Sequence, residues 1–178
     1  QRRVGITFLM ETHEQEEAMS MASRLAVMND GRIEQMGSPE AVSEHPANRF
    51  VAGFLGAVNL FEGKVAEVEA GLLWVDTEAG RLAAAHAPLA QGTAVAVAVR
   101  PEKFSLISSP DAAAPNILSG IVRGVAYRGE ASTGEIELPA GRTVRVTLPN
   151  IGGTARNLVP GAAVSLSFAP DAARILQS

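Results

Sequence analysis

The chain has 178 residues, is 47% hydrophobic and 4% aromatic, and carries a formal charge of −4, a length that allows one or two domains with a substantial core. Neither that charge nor the scarcity of aromatics suits a nucleic-acid binder, whether held by phosphate attraction or by base stacking. The absence of cysteine excludes disulfides and thiolate metal centres, and no apolar run approaches the roughly 20 residues that cross a bilayer, which together point to the cytoplasm.

Ile6 to Met10 is an apolar run that reads as a buried strand, and Thr12-His13 follows it directly. Thr12-x-x-Gln15 has the spacing of a capping box, and Glu14, Glu16 and Glu17 oppose the positive end of a helix dipole, so a helix is expected to start here. Its inner face would be Ala18, Met21, Ala22 and Leu25. His13 then stands at the mouth of a helix after a strand, where open α/β sheets present groups to ligands. Chemistry alone does not single it out, because a lone histidine at such a junction is commonly a local hydrogen-bonding residue.

Arg24 to Met28 reads as a short strand, Asn29-Asp30-Gly31-Arg32 as a hairpin turn and Ile33 to Met36 as the returning strand. Ser38-Pro39-Glu40 begins a helix, with serine as cap and proline in the first turn, and His45-Pro46 ends it. Asn48 caps a further helix whose Phe50, Val51, Phe54 and Leu55 share a face, closed by Gly56. His45 is assigned no chemistry.

Beyond Asn59 the pattern changes to strands and repeats itself. Phe61-x-Gly63-x-Val65-x-x-Val68 aligns with Leu118-x-Gly120-x-Val122-x-x-Val125. Gly92-x-x-Val95-x-Val97-x-Val99-x-Pro101-Glu102 aligns with Gly161-x-x-Val164-x-Leu166-x-Phe168-x-Pro170-Asp171, and Leu106-Ile107 with Ile175-Leu176. Two copies of one β unit are expected, joined by Ser108 to Pro115. The wider spacing of the later matches places extra residues of the second copy in a central hairpin around Gly129 to Gly141. Short alternating strands with glycine corners predict a small OB-like barrel. His86 is expected to face solvent, and Trp74 and Tyr127 to lie in a core or interface.

The string Gly5-Ile6-Thr7-Phe8, Thr12 to Ala18 and Arg24 to Pro39 closely resembles the end of an ABC transporter nucleotide-binding subunit. Asn59-Leu60-Phe61-Glu62-Gly63, Val99-Arg100-Pro101-Glu102 and Val159-Pro160-Gly161 through Leu176 resemble the TOBE domain of such ATPases, nearest to polyamine importers. The resemblance implies an α+β chain. Residues 1–57 would be the truncated α/β remnant of the ATPase domain, and residues 58–178 a mainly-β, OB-like TOBE domain of two related lobes for regulation and homodimer contact.

By the same resemblance His13 is the switch histidine that contacts the γ-phosphate of ATP, and Arg100 and Glu102 are candidates for a regulatory pocket or dimer contact; on chemistry alone these two read as a strand-end ion pair. No metal ligand is assigned. Glu14 stands where the family has Asp, and Glu11 where an apolar residue is usual. The P-loop spacing Gly-x-x-x-x-Gly-Lys-Ser/Thr, which cradles phosphates on backbone N–H groups, does not occur: the Gly63-Lys64 pair fails it. The signature motif and a strand ending in Asp-Glu are also missing. The chain is therefore expected to be a C-terminal fragment, inactive by itself, of an ATP- and magnesium-dependent subunit held on the inner face of the membrane by permease subunits and, through them, linked indirectly to a solute-binding protein. The alternative is a stand-alone small-ligand or oxyanion-binding protein with tandem OB-like lobes.

Overall fold

The computed structural model describes residues 7–85, 87–108 and 114–177. The chain divides into two compact units, residues 1–56 and 57–178.

In the first unit, helix α1 (Gln15–Met21) precedes a hairpin of β1 (Leu25–Asn29) and β2 (Arg32–Gly37), followed by α2 (Pro39–Glu44) and α3 (Arg49–Phe54). The hairpin forms as its sequence dictates: Asp30 and Gly31 have φ of 47° and 74°, the left-handed pair that matches the twist of the strands they join. Ser38 and Asn48 cap as expected, their side chains accepting from Ala41 N–H at 3.2 Å and Val51 N–H at 2.9 Å. Leu25, Val27, Val42 and Val51 form the buried centre, with Met19, Ala22 and Leu55 against it. Asn48→Ala is expected to lower the stability of this unit by about 1 kcal/mol, read as a shift in its urea midpoint; an unchanged midpoint would contradict the capping role.

Two expectations need correction. Ile6 lies outside the described residues, but Thr7 to Met10 form no strand, and Phe8, Leu9 and Met10 are 67%, 101% and 50% exposed. A strand requires a ladder partner, and among the described residues the sheet of this unit is the β1–β2 pair alone. The α1 cap is Glu14, without a side-chain bond, rather than Thr12. The Thr12 hydroxyl accepts from the nearer Glu14 N–H at 3.0 Å and donates to Glu17 at 3.1 Å, a local turn that competes with the capping box. Met21 is exposed, and Met19 packs inward in its place.

The second unit holds β3 (Asn59–Glu69), β4 (Leu72–Thr77), β5 (Gly80–Ala85), β6 (Ala94–Val99), β7 (Ser105–Ile107), β8 (Ile117–Arg128), β9 (Ala131–Glu137), β10 (Thr143–Pro149), β11 (Ala163–Ser167) and β12 (Ala173–Leu176). They form two five-stranded sheets with the orders β12-β6-β3-β4-β5 and β7-β11-β8-β9-β10. The orders correspond strand for strand, so the repeat is structural. Gly63 and Gly120 occupy one role: a Cβ on either would collide with the backbone of the next strand, at Asp76 or Glu137. Each first strand carries a bulge just beyond, at Val65/Glu67 and Val122/Gly124. Each is bonded there by a glycine turn, Gly92 N–H to Val65 C=O and Gly161 N–H to Val122 C=O, both at 2.8 Å.

The copies are not separate lobes. β7 follows β6 in sequence yet pairs with β11, and β12 follows β11 yet pairs with β6, so each copy gives its last strand to the other's sheet. One apolar core runs through both, from Phe61, Val75 and Val97 to Val122, Val146 and Leu166. The extra residues of the second copy are also not confined to one hairpin. They include a 3-10 turn at Pro139–Gly141 and a longer one at Ile151–Asn157, after β10. Trp74 is partly covered by the Arg81 guanidinium 5.4 Å above its ring. Tyr127, 75% exposed, belongs to no core. His86 and most of the Ser108–Pro115 connection lie outside the described residues.

Candidate functional site

His13 sits at a bend between Thr12 and α1, exposed to solvent, with exposed Glu11 and Glu14 on either side. The Thr12–Glu17 bond fixes this bend against the first turn of the helix. Glu11, the carboxylate that would be costly inside a sheet, is solvated. An imidazole so placed can donate an N–H to an anionic group approaching from outside the fold.

Arg100 and Glu102 lie in the second unit, where β6 runs into the 3-10 turn Pro101–Lys103. Pro101 is buried, Arg100 half-buried and Glu102 exposed. The turn closes through Lys103 N–H to the Arg100 carbonyl at 3.0 Å. The equivalent turn of the second copy, Pro170–Ala172, is preceded by Ala169 instead of arginine. Among the described residues no group of three or more His, Asp or Glu could hold a metal ion.

An open depression lies over β7, β11 and β8, lined by Leu106, Ile107, Ser119, Ser165, Glu137 and Leu138 among others. The Ser119 and Ser165 hydroxyls are 3.3 Å apart. Glu137 accepts two bonds from Arg123, at 2.7 and 3.2 Å. Those bonds, and the attraction behind them, hold the Glu137 carboxyl below its ordinary pKa and Arg123 above its own. A depressed carboxyl contributes stability above its unfolded pKa and loses it as pH falls through the folded value; here both groups are solvent-exposed and salt-screened.

The polar residues that sequence reasoning missed are buried ones. Asn59 Nδ2 donates to Val99 C=O at 3.3 Å and to Arg145 C=O at 2.8 Å, and its Oδ1 accepts from Arg145 N–H at 2.8 Å. Asn116 Nδ2 donates to Ala83 C=O at 2.9 Å and Phe168 C=O at 3.3 Å, while its Oδ1 accepts from Ala83 N–H at 2.7 Å. Each asparagine thus binds a carbonyl of its own copy and both backbone groups of one residue in the other. The signal was available, because the two stand at matching positions of the repeat, just before Phe61-x-Gly63 and Leu118-x-Gly120. Arg142 adds a one-sided link: it donates to the Leu60 carbonyl, pairs with Glu78 and lies 5.0 Å over the Phe61 ring.

Comparison with known proteins agrees with this arrangement. The TOBE domain signature matches residues 97–176, from β6 to β12. The spermidine/putrescine import ATP-binding protein PotA of Trichodesmium erythraeum is 39% identical over 163 residues, covering 87% of this chain and 43% of the relative. The putrescine transport ATP-binding protein PotG of Escherichia coli is 40% identical over 151 residues, 83% of this chain and 40% of the relative. PotA of Nitrosomonas europaea is 36% identical over 184 residues, all of this chain and 50% of the relative. The chain therefore spans half or less of the length of these relatives. Among solved structures, the cytoplasmic molybdate-binding protein ModG with molybdate bound aligns at a TM-score of 0.61 and 21% identity, over 67% of this chain and 96% of that one; at that identity the likeness is one of fold. With a TOBE domain over the strands from β6 to β12 and relatives of one kind along nearly its whole length, the chain matches the C-terminal, TOBE-bearing part of spermidine/putrescine ABC importer ATP-binding proteins.

Proposed function

We propose that this chain is the distal part of the ATP-binding subunit of an ABC importer that couples ATP hydrolysis to uptake of a polyamine, spermidine or putrescine. The first unit is then the end of the ATPase domain, and the second is its regulatory and dimerisation domain. The subunit works as a homodimer at the inner face of the membrane, docked on permease subunits that receive cargo from a solute-binding protein. The observation that carries the reading is the solvent-facing His13, at the bend before an acidic helix start, inside a sequence 36–40% identical to PotA and PotG relatives.

In the assembled subunit ATP would supply the transferable phosphoryl group and magnesium would neutralise its charge, both gripped by a P-loop that these 178 residues do not contain. His13 contributes an N–H aimed at the γ-phosphate oxygens. Its place on an exposed bend, outside any sheet, lets it reach a nucleotide held largely by other residues. Arg100 and Glu102 are the residues of the second unit proposed to report a regulatory ligand or a dimer contact. The alternative, a stand-alone oxyanion-binding protein, shares the ModG fold but leaves the entire first unit without a role. Isothermal titration of this chain with molybdate and with spermidine separates the two readings: tight one-to-one molybdate binding would favour the alternative.

The test of the site is His13→Ala in the complete subunit assembled with its permease. ATP turnover is expected to fall by about 10²–10³-fold, the effect of losing one donor to a transition-state oxygen, while ATP binding changes little. Unchanged turnover would overturn the assignment.

A further inference from the structure

β8 is a long strand with two different halves. From Ile117 to Ile121 it pairs with β11, and from Ile121 onward with β9, so the two partners overlap only at Ile121. At Val122 the β11 side ends, closed by the Gly161 turn. From Gly124 to Arg128 the strand continues as an arm paired with β9 alone. Four of these five residues are exposed, including Val125 at 37% and Tyr127 at 75%. Among the described residues no strand covers the other edge of this arm. It presents free backbone N–H and C=O groups beside apolar side chains, and no proline or lysine blocks it, the arrangement that invites strand addition.

We infer that this edge is where a second copy of the chain adds, the two β8 arms pairing antiparallel about a two-fold axis through Ala126. The occupant follows from the sequence of the arm. A two-fold axis normal to a sheet pairs residues that point to the same face, and centring it on Ala126 sets a small side chain against its own copy. Val125 then lies opposite Tyr127 of the second copy, twice, a β-branched–aromatic pair of the kind that stabilises sheets. Arg128 of the second copy arrives opposite Gly124. There the Glu135 carboxylate, whose Oε1 lies 3.8 Å from Arg145 Nε, leans over the glycine with its Oε2 3.7 Å from where a Cβ would be, so the arginine arrives as a second cation on the face of the carboxylate turned toward the glycine. The pairing joins two five-stranded sheets into one continuous sheet. It rests on the homodimer reading above and names its surface.

Sedimentation velocity on the 178-residue chain tests both, over a concentration series. The expected result is a concentration-dependent dimer. Arg128→Glu weakens it by about tenfold by setting like charges face to face on both sides of the axis, and Val125→Pro, which removes an N–H on the free edge and leaves the β9 ladder bonded, weakens it at least as much. The double variant Arg128→Glu with Glu135→Arg restores the dimer, a rescue that damage to the fold cannot produce. A chain monomeric at every concentration would sink both this surface and self-association of the chain. A dimer of unchanged affinity in both single variants, or one that the charge reversal fails to rescue, would overturn the β8 surface and leave the homodimer reading standing.

Discussion

Replacing Gly120 by valine is expected to destabilise the 57–178 unit by more than about 4 kcal/mol, beyond the range of ordinary substitutions. A Cβ there would lie 2.5 Å from the Glu137 carbonyl oxygen and 2.7 Å from Cγ2 of Ile136. Neither can yield. The first is backbone inside the β8–β9 ladder, and the second belongs to a side chain that is 0% exposed in the shared core. Relief would require β8 to lift from β9, and β8 is also the strand to which β11 is bonded. Urea unfolding followed by circular dichroism is the measurement. A midpoint within experimental error of the parent would refute the close-approach explanation for the repeated glycine, and Gly63→Val should behave alike because its Cβ meets the Asp76 carbonyl in the same way.

Asn116→Leu is expected to cost about 3–5 kcal/mol although leucine is similar in size and more apolar. Asn116 and Ala83 are both 0% exposed. Removing the amide strands the N–H and C=O of Ala83 and deprives the Phe168 carbonyl of a donor, and a buried group left unpaired loses its hydration without recompense. The diagnostic is the contrast with a true core position. Leu82→Ile, adjacent on the same strand and fully apolar, should cost less than about 1.5 kcal/mol because it conserves volume. If Asn116→Leu proved as mild, the two asparagines would be fillers and not the ties between the copies.

What the sequence disclosed and what it withheld divide along the range of the interactions. The β1–β2 turn, the Ser38 and Asn48 caps and the glycine positions of the repeat depend on a few neighbouring residues, and all were legible. The helix after His13 was legible as well, since Thr12-His13 and the following acids are contiguous, but the buried strand expected before it does not form over Thr7 to Met10. The destination of β7 and β12 was not legible. Leu106-Ile107 and Ile175-Leu176 matched each other in pattern, but alternation tells which face of a strand is apolar and is silent on which sheet receives it. The strand expected over Thr7 to Met10 failed for a related reason: an apolar run signals surface that prefers cover, without stating what supplies it. Thr12 was misread because two short-range bonds compete for one hydroxyl, and the nearer N–H wins. The ties made by Asn59 and Asn116 escaped notice because buried polar partners come from distant strands.

The crossing of β7 and β12 between sheets bears on how the protein is made. β6 finds one of its neighbours only in Ala173–Leu176, so the first of the two five-stranded sheets to be synthesised stays open at that edge until synthesis has passed the whole second copy. A nascent chain stalled before Ala173 would expose the flank of β6, whose Val95 to Val99 are all buried in the finished fold, and long-range pairing of this kind is slow and prone to aggregation while it waits. Sequence changes near Ala173–Leu176 should therefore lower soluble yield out of proportion to the few contacts that strand makes, and a chaperone that shields extended apolar segments should recover it.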